Sequence, residues 1–179
     1  MTVFREKEVD VLIERCRWFV FLLFAFFSLV FLITVPVQCL VIRSSDGRFI
    51  TGSPLNSRES FILEYIHSVE KTPVQSEYRV LSGKIRQWEE RFLSHNAGLP
   101  TEAFHHGRFV MHRKWMILRG GGIAVERLRY RVGDEEFGKN RLFLPGGSPV
   151  RLFETHPRQV LEFSAETTSL PMCFLSRFF

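Results

Sequence analysis

This chain of 179 residues lacks the fixed spacings that mark common chemistries: it has three cysteines but no C-x-x-C, and six histidines but no H-E-x-x-H. Without them there is no recognisable zinc framework and no disulfide scaffold. Gly120-Gly121-Gly122 lacks the following Lys-Ser/Thr and the helix of a phosphate loop, and a hairpin turn accounts for it. No nucleic-acid-binding module is recognisable, and no internal repeat or low-complexity stretch is present. The longest absence is of charge, since not one Asp, Glu, Lys or Arg lies between Trp18 and Ile42. That gap excludes a purely soluble protein, and a 45% hydrophobic content excludes a disordered one.

What fills the gap is apolar. Six of the 19 phenylalanines lie between Phe19 and Phe31, and from Trp18 to Val37 only Ser28, Thr34 and Pro36 are not apolar. As a helix rising about 1.5 Å per residue, this run would cover the ~30 Å hydrocarbon core of a bilayer. Its exit, Thr34-Val35-Pro36-Val37-Gln38-Cys39, has neither paired small residues for cleavage nor a small residue before the cysteine for lipidation. It therefore reads as an uncleaved signal-anchor. Arg15 and Arg17, backed by Arg5 and Lys7, sit against its start, whereas Arg43, Arg48 and Arg58 are dispersed beyond its end. This bias places the N-terminus inside and the domain outside. The expected organisation is a cytoplasmic tail (1–17), a transmembrane helix and exit (18–42) and an extracytoplasmic β-rich domain (43–179). Cys39 and Cys173 would then share an oxidising compartment, where they either pair or stay free thiols.

Past Arg43 the turn signals Asp46-Gly47, Gly52-Ser53-Pro54, Ser82-Gly83, Gly133-Asp134 and Pro145-Gly146-Gly147 separate short apolar runs. They predict a mainly β fold, an antiparallel sandwich or partly open barrel behind the one helix. Phe61, Leu63 and Tyr65 share one face, Tyr78 and Val80 repeat the alternation in 74–81, and a tight connection lies between. In 108–118 the alternation turns Phe109, Met111, Trp115 and Ile117 to one side, as a single strand. In 126–132 it turns Leu128, Tyr130 and Val132 inward and Arg127, Arg129 and Arg131 outward, a basic stripe of about 14 Å at about 3.4 Å per residue. The stripe suits carboxylates or an acidic partner, or is simply a solvated face. Periodicity alone favours a short helix over 84–94, with Ile85, Trp88 and Phe92 on one face. The apolar end, Ser169–Phe179, is a last core strand or a flap on a membrane or partner.

The densest chemistry is Ile66-His67-Ser68-Val69-Glu70-Lys71-Thr72-Pro73-Val74, which packs an imidazole, a hydroxyl, a carboxylate and an ammonium into one strand-to-strand turn. Ser68 with Lys71 has the parts of a nucleophile and base, but a lysine beside Glu70 and open to water keeps its proton. His67 and Glu70, with His95, His105, His106 and His112, supply ligand types for a metal but no ligand spacing.

Followed by Glu77-Tyr78 and then by Ala97-Gly98-Leu99-Pro100, this stretch resembles the bacterial family called domain of unknown function 1850. Its pattern reads H-S-V-E-K-T-P, then E-x-Y or E-x-W, then G-A-G-L/M-P. The likeness is strong over 61–100 and loose to about residue 143, and Asn96 stands where the family has its first glycine. The resemblance favours a strand over 84–92. It also implies a partner, because members are typically encoded beside the membrane and binding subunits of TAXI-type TRAP transporters, which import organic anions. The expectation is a non-enzymatic, cofactor-free accessory subunit in the bacterial cytoplasmic membrane, its domain in the periplasm, docking with the permease or its binding protein. The expected contact residues are His67, Ser68, Glu70, Lys71, Pro73, Glu77, Tyr78, Gly98, Leu99, Pro100, Arg127, Arg129 and Arg131. A membrane-anchored hydrolase or metalloenzyme using the His67–Glu70 turn, and a free-standing envelope anion sensor, are the alternatives.

Overall fold

The computed structural model describes the chain except residues 1, 57, 95–101, 103–105, 121, 170, 172 and 174–179, and gives no side-chain description for 2–13 and 32. The chain starts with one unbroken helix, α1 (Thr2–Thr34). Its described large apolar side chains from Trp18 to Phe31, and Ile33, stand 39–71% exposed, and no described part of the protein covers them. Among the described residues no helix is long and apolar enough to cross a membrane.

The helix ends at Thr34, whose hydroxyl turns back to the Val30 carbonyl at 2.8 Å, and Pro36 opens a strand at once. Proline cannot continue the hydrogen-bonding of the preceding turn, and β1 (Pro36–Ser44) takes over. The β fold thus begins at Pro36, seven residues ahead of the expected boundary at Arg43. Pro36 and Val37, expected at the end of the apolar helix, belong to the first strand.

Two antiparallel sheets follow. The smaller runs β2–β1–β12–β9, from β1, β2 (Phe49–Pro54), β9 (Arg127–Arg131) and β12 (Val160–Ser169). The larger runs β11–β10–β3–β4–β5–β7–β6, with β8 also paired to β5. Its strands are β3 (Ser60–Ile66), β4 (Pro73–Leu81), β5 (Lys84–Phe92), β6 (Arg108–His112), β7 (Trp115–Arg119), β8 (Ala124–Val125), β10 (Gly138–Phe143) and β11 (Val150–Arg151). A one-turn helix, α2 (Leu152–Thr155), leads into β12.

Period-2 alternation builds one core from both sheets: Leu40, Ile42, Leu161 and Phe163 meet Phe61, Leu63, Val80 and Ile85. Phe163 lies parallel to Phe61 with ring centroids 5.7 Å apart, and Tyr130 closes edge-on at 6.4 Å. A second cluster of Val74, Phe92 and Leu118 lies farther along the larger sheet. A disulfide joins Cys39 in β1 to Cys173 and is buried among Val41, Val37 and Phe49. The pairing left open by the sequence is therefore made, and β12 accounts for Ser169, while most of the tail after it lies outside the described residues.

Three local expectations change. Residues 84–92 form β5, the strand that the family resemblance favours and not the helix that periodicity alone suggests. The run 108–118 is a β6–β7 hairpin, turning at Arg113 (φ +55°) and Lys114. Phe109 and Met111 therefore stand opposite Leu118 and Met116, and Trp115 and Ile117 fall on the other face. The Gly120–Gly122 stretch is no hairpin either, because β7 and β8 on its two sides both pair with β5. Gly122 lies so close to Gln87 that a Cβ would stand 2.2 Å from its carbonyl oxygen.

Candidate functional site

The β3–β4 hairpin carries both the densest motif and the most buried charge. Its turn is closed by two backbone bonds, His67 N–H to the Thr72 carbonyl at 2.8 Å and Lys71 N–H to the His67 carbonyl at 3.0 Å, with Lys71 left-handed at φ +53°. The His67 ring completes it: Nδ1 accepts from the amides of Val69 at 3.3 Å and Glu70 at 3.2 Å. An accepting Nδ1 puts the ring proton on Nε2. His67 and not Glu70 accepts the turn amides, and among the described residues Glu70 and Lys71 form no ion pair. Among the described residues the side chains of Ser68, Glu70 and Lys71 have no hydrogen bond or ion pair. Ser68 and Lys71 are exposed and Glu70 is half-buried, while the Thr72 hydroxyl is buried with no partner.

Behind the turn, on the outer face of the larger sheet, lie Glu64 on β3, Glu77 on β4 and Glu89 on β5, each 6% exposed. Glu77 and Glu89 stand directly opposite each other on β4 and β5, which without cations would be unfavourable. Arg91 answers both, bonding Glu77 and reaching Glu89 at 2.8 Å. Arg79 reaches Glu77 at 3.2 Å and lies 4.1 Å over the Trp88 ring; Arg119 bonds Glu89. Arg141 at 3.2 Å and Gln75 at 2.8 Å hold Glu64. Burial pushes the Glu77 carboxyl up, but the bond and charge of Arg91, with help from Ser60 and Arg79, hold it below the usual carboxylate range. Of this network only Glu77 was among the residues expected from sequence. The signal for the rest is alternation of charge at period 2, Glu77-x-Arg79 and Glu89-x-Arg91, which is the period of a strand face.

The inner face of these strands holds a different group. Tyr78 stacks on Phe61 at 5.2 Å and so serves the core. Beside it Glu90 is half-buried, and burial holds its carboxyl above the ordinary range despite hydrogen bonds from Ser76 and Gln87. Burial likewise raises Tyr78, Tyr65 and, most of all, Tyr130, whose hydroxyl accepts from Asn140 Nδ2 at 2.6 Å. Pro73 opens β4 and stiffens the exit from the turn.

Arg127, Arg129 and Arg131 do lie exposed on one face of β9, but in the smaller sheet. Glu162 on β12 answers two of them, Arg129 at 3.3 Å and Arg127 at 3.9 Å. Arg127 also lines a cleft of about 740 Å³ with Arg43, Lys84, Glu126, Glu162 and Glu166. Three cations there face three carboxylates, led by the Arg43–Glu166 pair, whose bond holds the Glu166 carboxyl below the ordinary range. Gly98, Leu99 and Pro100 lie outside the described residues, as do His95 and His105. Among the described residues no three His, Cys, Asp or Glu side chains group as metal ligands.

A match to a known family begins at Phe61, the second residue of β3. Residues 61–148 match the family model "Domain of unknown function (DUF1850)". The DUF1850 segment contains the turn, the Glu–Arg network, the β6–β7 hairpin and β9. It leaves out α1, β1, β2 and β12, and with them both disulfide cysteines. No curated protein and no solved structure matches the chain.

Proposed function

We propose that the chain is a membrane-anchored accessory protein whose two-sheet β sandwich stands outside the cytoplasm and docks, through the β3–β4 turn, with a subunit of a TAXI-type TRAP transporter. The observation that carries the docking role is the turn itself. His67 binds its backbone into one conformation, while Ser68, Glu70 and Lys71 are held out with no partner among the described residues. A turn backbone fixed before contact has little entropy left to lose on binding. The same geometry supports recognition over nucleophilic chemistry, because Lys71 makes no bond to Ser68. The DUF1850 match over 61–148 supports the reading, because resemblance to that family is what implies a transporter partner.

Three further facts support the anchor and its orientation. The charge-free part of α1, the seventeen residues from Trp18 to Thr34, is about 25 Å long and exposes its large apolar side chains. Arg15 and Arg17 lie in the turn just before it, where long cationic side chains suit the headgroup boundary of an apolar anchor. The Cys39–Cys173 bond fits an oxidising compartment. Protease added to intact spheroplasts should digest the domain and leave a short anchored fragment; full protection overturns the orientation.

The docking role is tested by His67→Asn, Glu70→Ala and Lys71→Ala in the full chain, purified by affinity tag from cells carrying the neighbouring transporter. Asn keeps an acceptor for the turn amides, so H67N should remain folded. E70A and K71A should keep wild-type abundance and melting temperature yet lose the co-purifying permease or binding protein. Retained association in both variants assigns the turn a purely structural role, and absence of any transporter subunit with the wild-type chain refutes the accessory reading.

A further inference from the structure

The larger sheet ends at β6, which pairs only with β7 and leaves its other edge open among the described residues. An open edge is a row of unpaired amides and carbonyls, and proteins usually blunt it. Here one face of the edge is apolar: Phe109 and Met111 are 40% and 59% exposed. They stand opposite Leu118 and Met116, so their row continues the second core cluster of Val74, Phe92 and Leu118 outward to the rim. The other face carries Arg108 beside Val110 and His112, and the tip carries Arg113 and Lys114; these three cations are exposed and without partners among the described residues. No acidic residue occurs between 103 and 125.

We propose that β6 is a strand-addition site for an extended, acidic and apolar segment of a partner protein. The segment's backbone completes the sheet, alternate apolar side chains cover Phe109 and Met111, and its carboxylates meet Arg108, Arg113 and Lys114. Two other occupants fit less well. A second copy would set these cations against one another across the new strand pair. A lipid surface offers hydrocarbon no donors or acceptors for the open backbone. This surface is separate from the β3–β4 turn and holds whichever partner the turn meets.

The probe is a fluorescein-labelled hexapeptide of alternating Val and Glu, titrated by anisotropy into the full chain in phosphatidylcholine nanodiscs. Saturable binding is expected, with new hydrogen-exchange protection at 108–112. Binding should weaken about tenfold in Arg113→Glu/Lys114→Glu, and comparably when alternate peptide amides are N-methylated. Phe109→Thr/Met111→Thr, which keeps strand-forming residues at exposed positions, should weaken binding without unfolding the domain. The proposal is overturned if a Val–Lys peptide binds as well or if N-methylation has no effect. It is equally overturned if the peptide is ignored while the nanodiscs associate with phosphatidylglycerol vesicles, or if Met111→Cys forms disulfide-linked dimers in place of peptide binding.

Discussion

Replacing Arg91 with alanine isolates the electrostatics of the larger sheet. Glu77 and Glu89 face each other across β4 and β5 at 6% exposure, and among the described residues Arg91 is the one side chain bonded to both. Removing one partner of a buried ion pair costs about 3–5 kcal/mol, chiefly because the other charge is left uncompensated. Arg79 still reaches Glu77 and Arg119 still reaches Glu89, so the expected loss is at the lower end, about 3 kcal/mol. The sign of the pH dependence provides the sharper test. In the native protein the folded state holds Glu77 below its ordinary pKa, so that contribution is full above the unfolded carboxylate range and fades as pH falls through the folded value. In R91A burial is no longer outweighed, the Glu77 carboxyl rises, and its protonation relieves the variant. Its deficit should therefore be large at about pH 7 and shrink toward about pH 4.5. Urea unfolding followed by the fluorescence of Trp88, which lies under Arg79, measures both values. Adding Glu89→Gln to R91A should recover stability at neutral pH. A deficit below about 1 kcal/mol, or one that is equal at both pH values, refutes the reasoning.

Phe163→Ala removes a fully buried ring between Phe61 and Tyr130 and should cost about 3–5 kcal/mol in chemical denaturation, with Phe163→Leu costing distinctly less. Cys39→Ser should lower stability by about 2–4 kcal/mol and free Cys173 for alkylation after unfolding, as read by mass shift. Gly133→Ala should cost about 2 kcal/mol or more in thermal unfolding, since its Cβ would lie 1.9 Å from the Phe137 carbonyl oxygen. H67A should cost about 1 kcal/mol relative to H67N if the ring acts as the acceptor for the turn amides, and the two variants should be equal if it does not.

Much of the fold follows from period-2 alternation. Phe61, Leu63 and Tyr65 and then Tyr78 and Val80 mark β3 and β4, and Ser82 and Gly83, both at positive φ, make the two-residue turn into β5. Strands without such punctuation were harder to see. The β6–β7 turn uses Arg113 and Lys114, neither a usual turn residue, so alternation seemed to run straight through it. In β5 a register shift opposite Glu77–Tyr78 breaks the period, and Ile85, Trp88 and Phe92 take on helical spacing. The site was legible as a cluster of residue types in one turn, but not in its internal roles. Which side chain accepts the turn amides depends on ring geometry, and which carboxylates share Arg91 depends on pairing between strands distant in sequence.

The pairing of β1 with β12 over nine positions, reinforced by Cys39–Cys173, has a consequence for how the chain is made. The first strand to leave the ribosome waits for the last, and its cysteine has no partner until residue 173 arrives. Such distant pairing delays closure. The β3–β4–β5 meander can form midway through synthesis, but the smaller sheet cannot close until the end. During that interval β1 is tethered beside the helix with the edge that β12 will take uncovered and the Cys39 thiol unbonded.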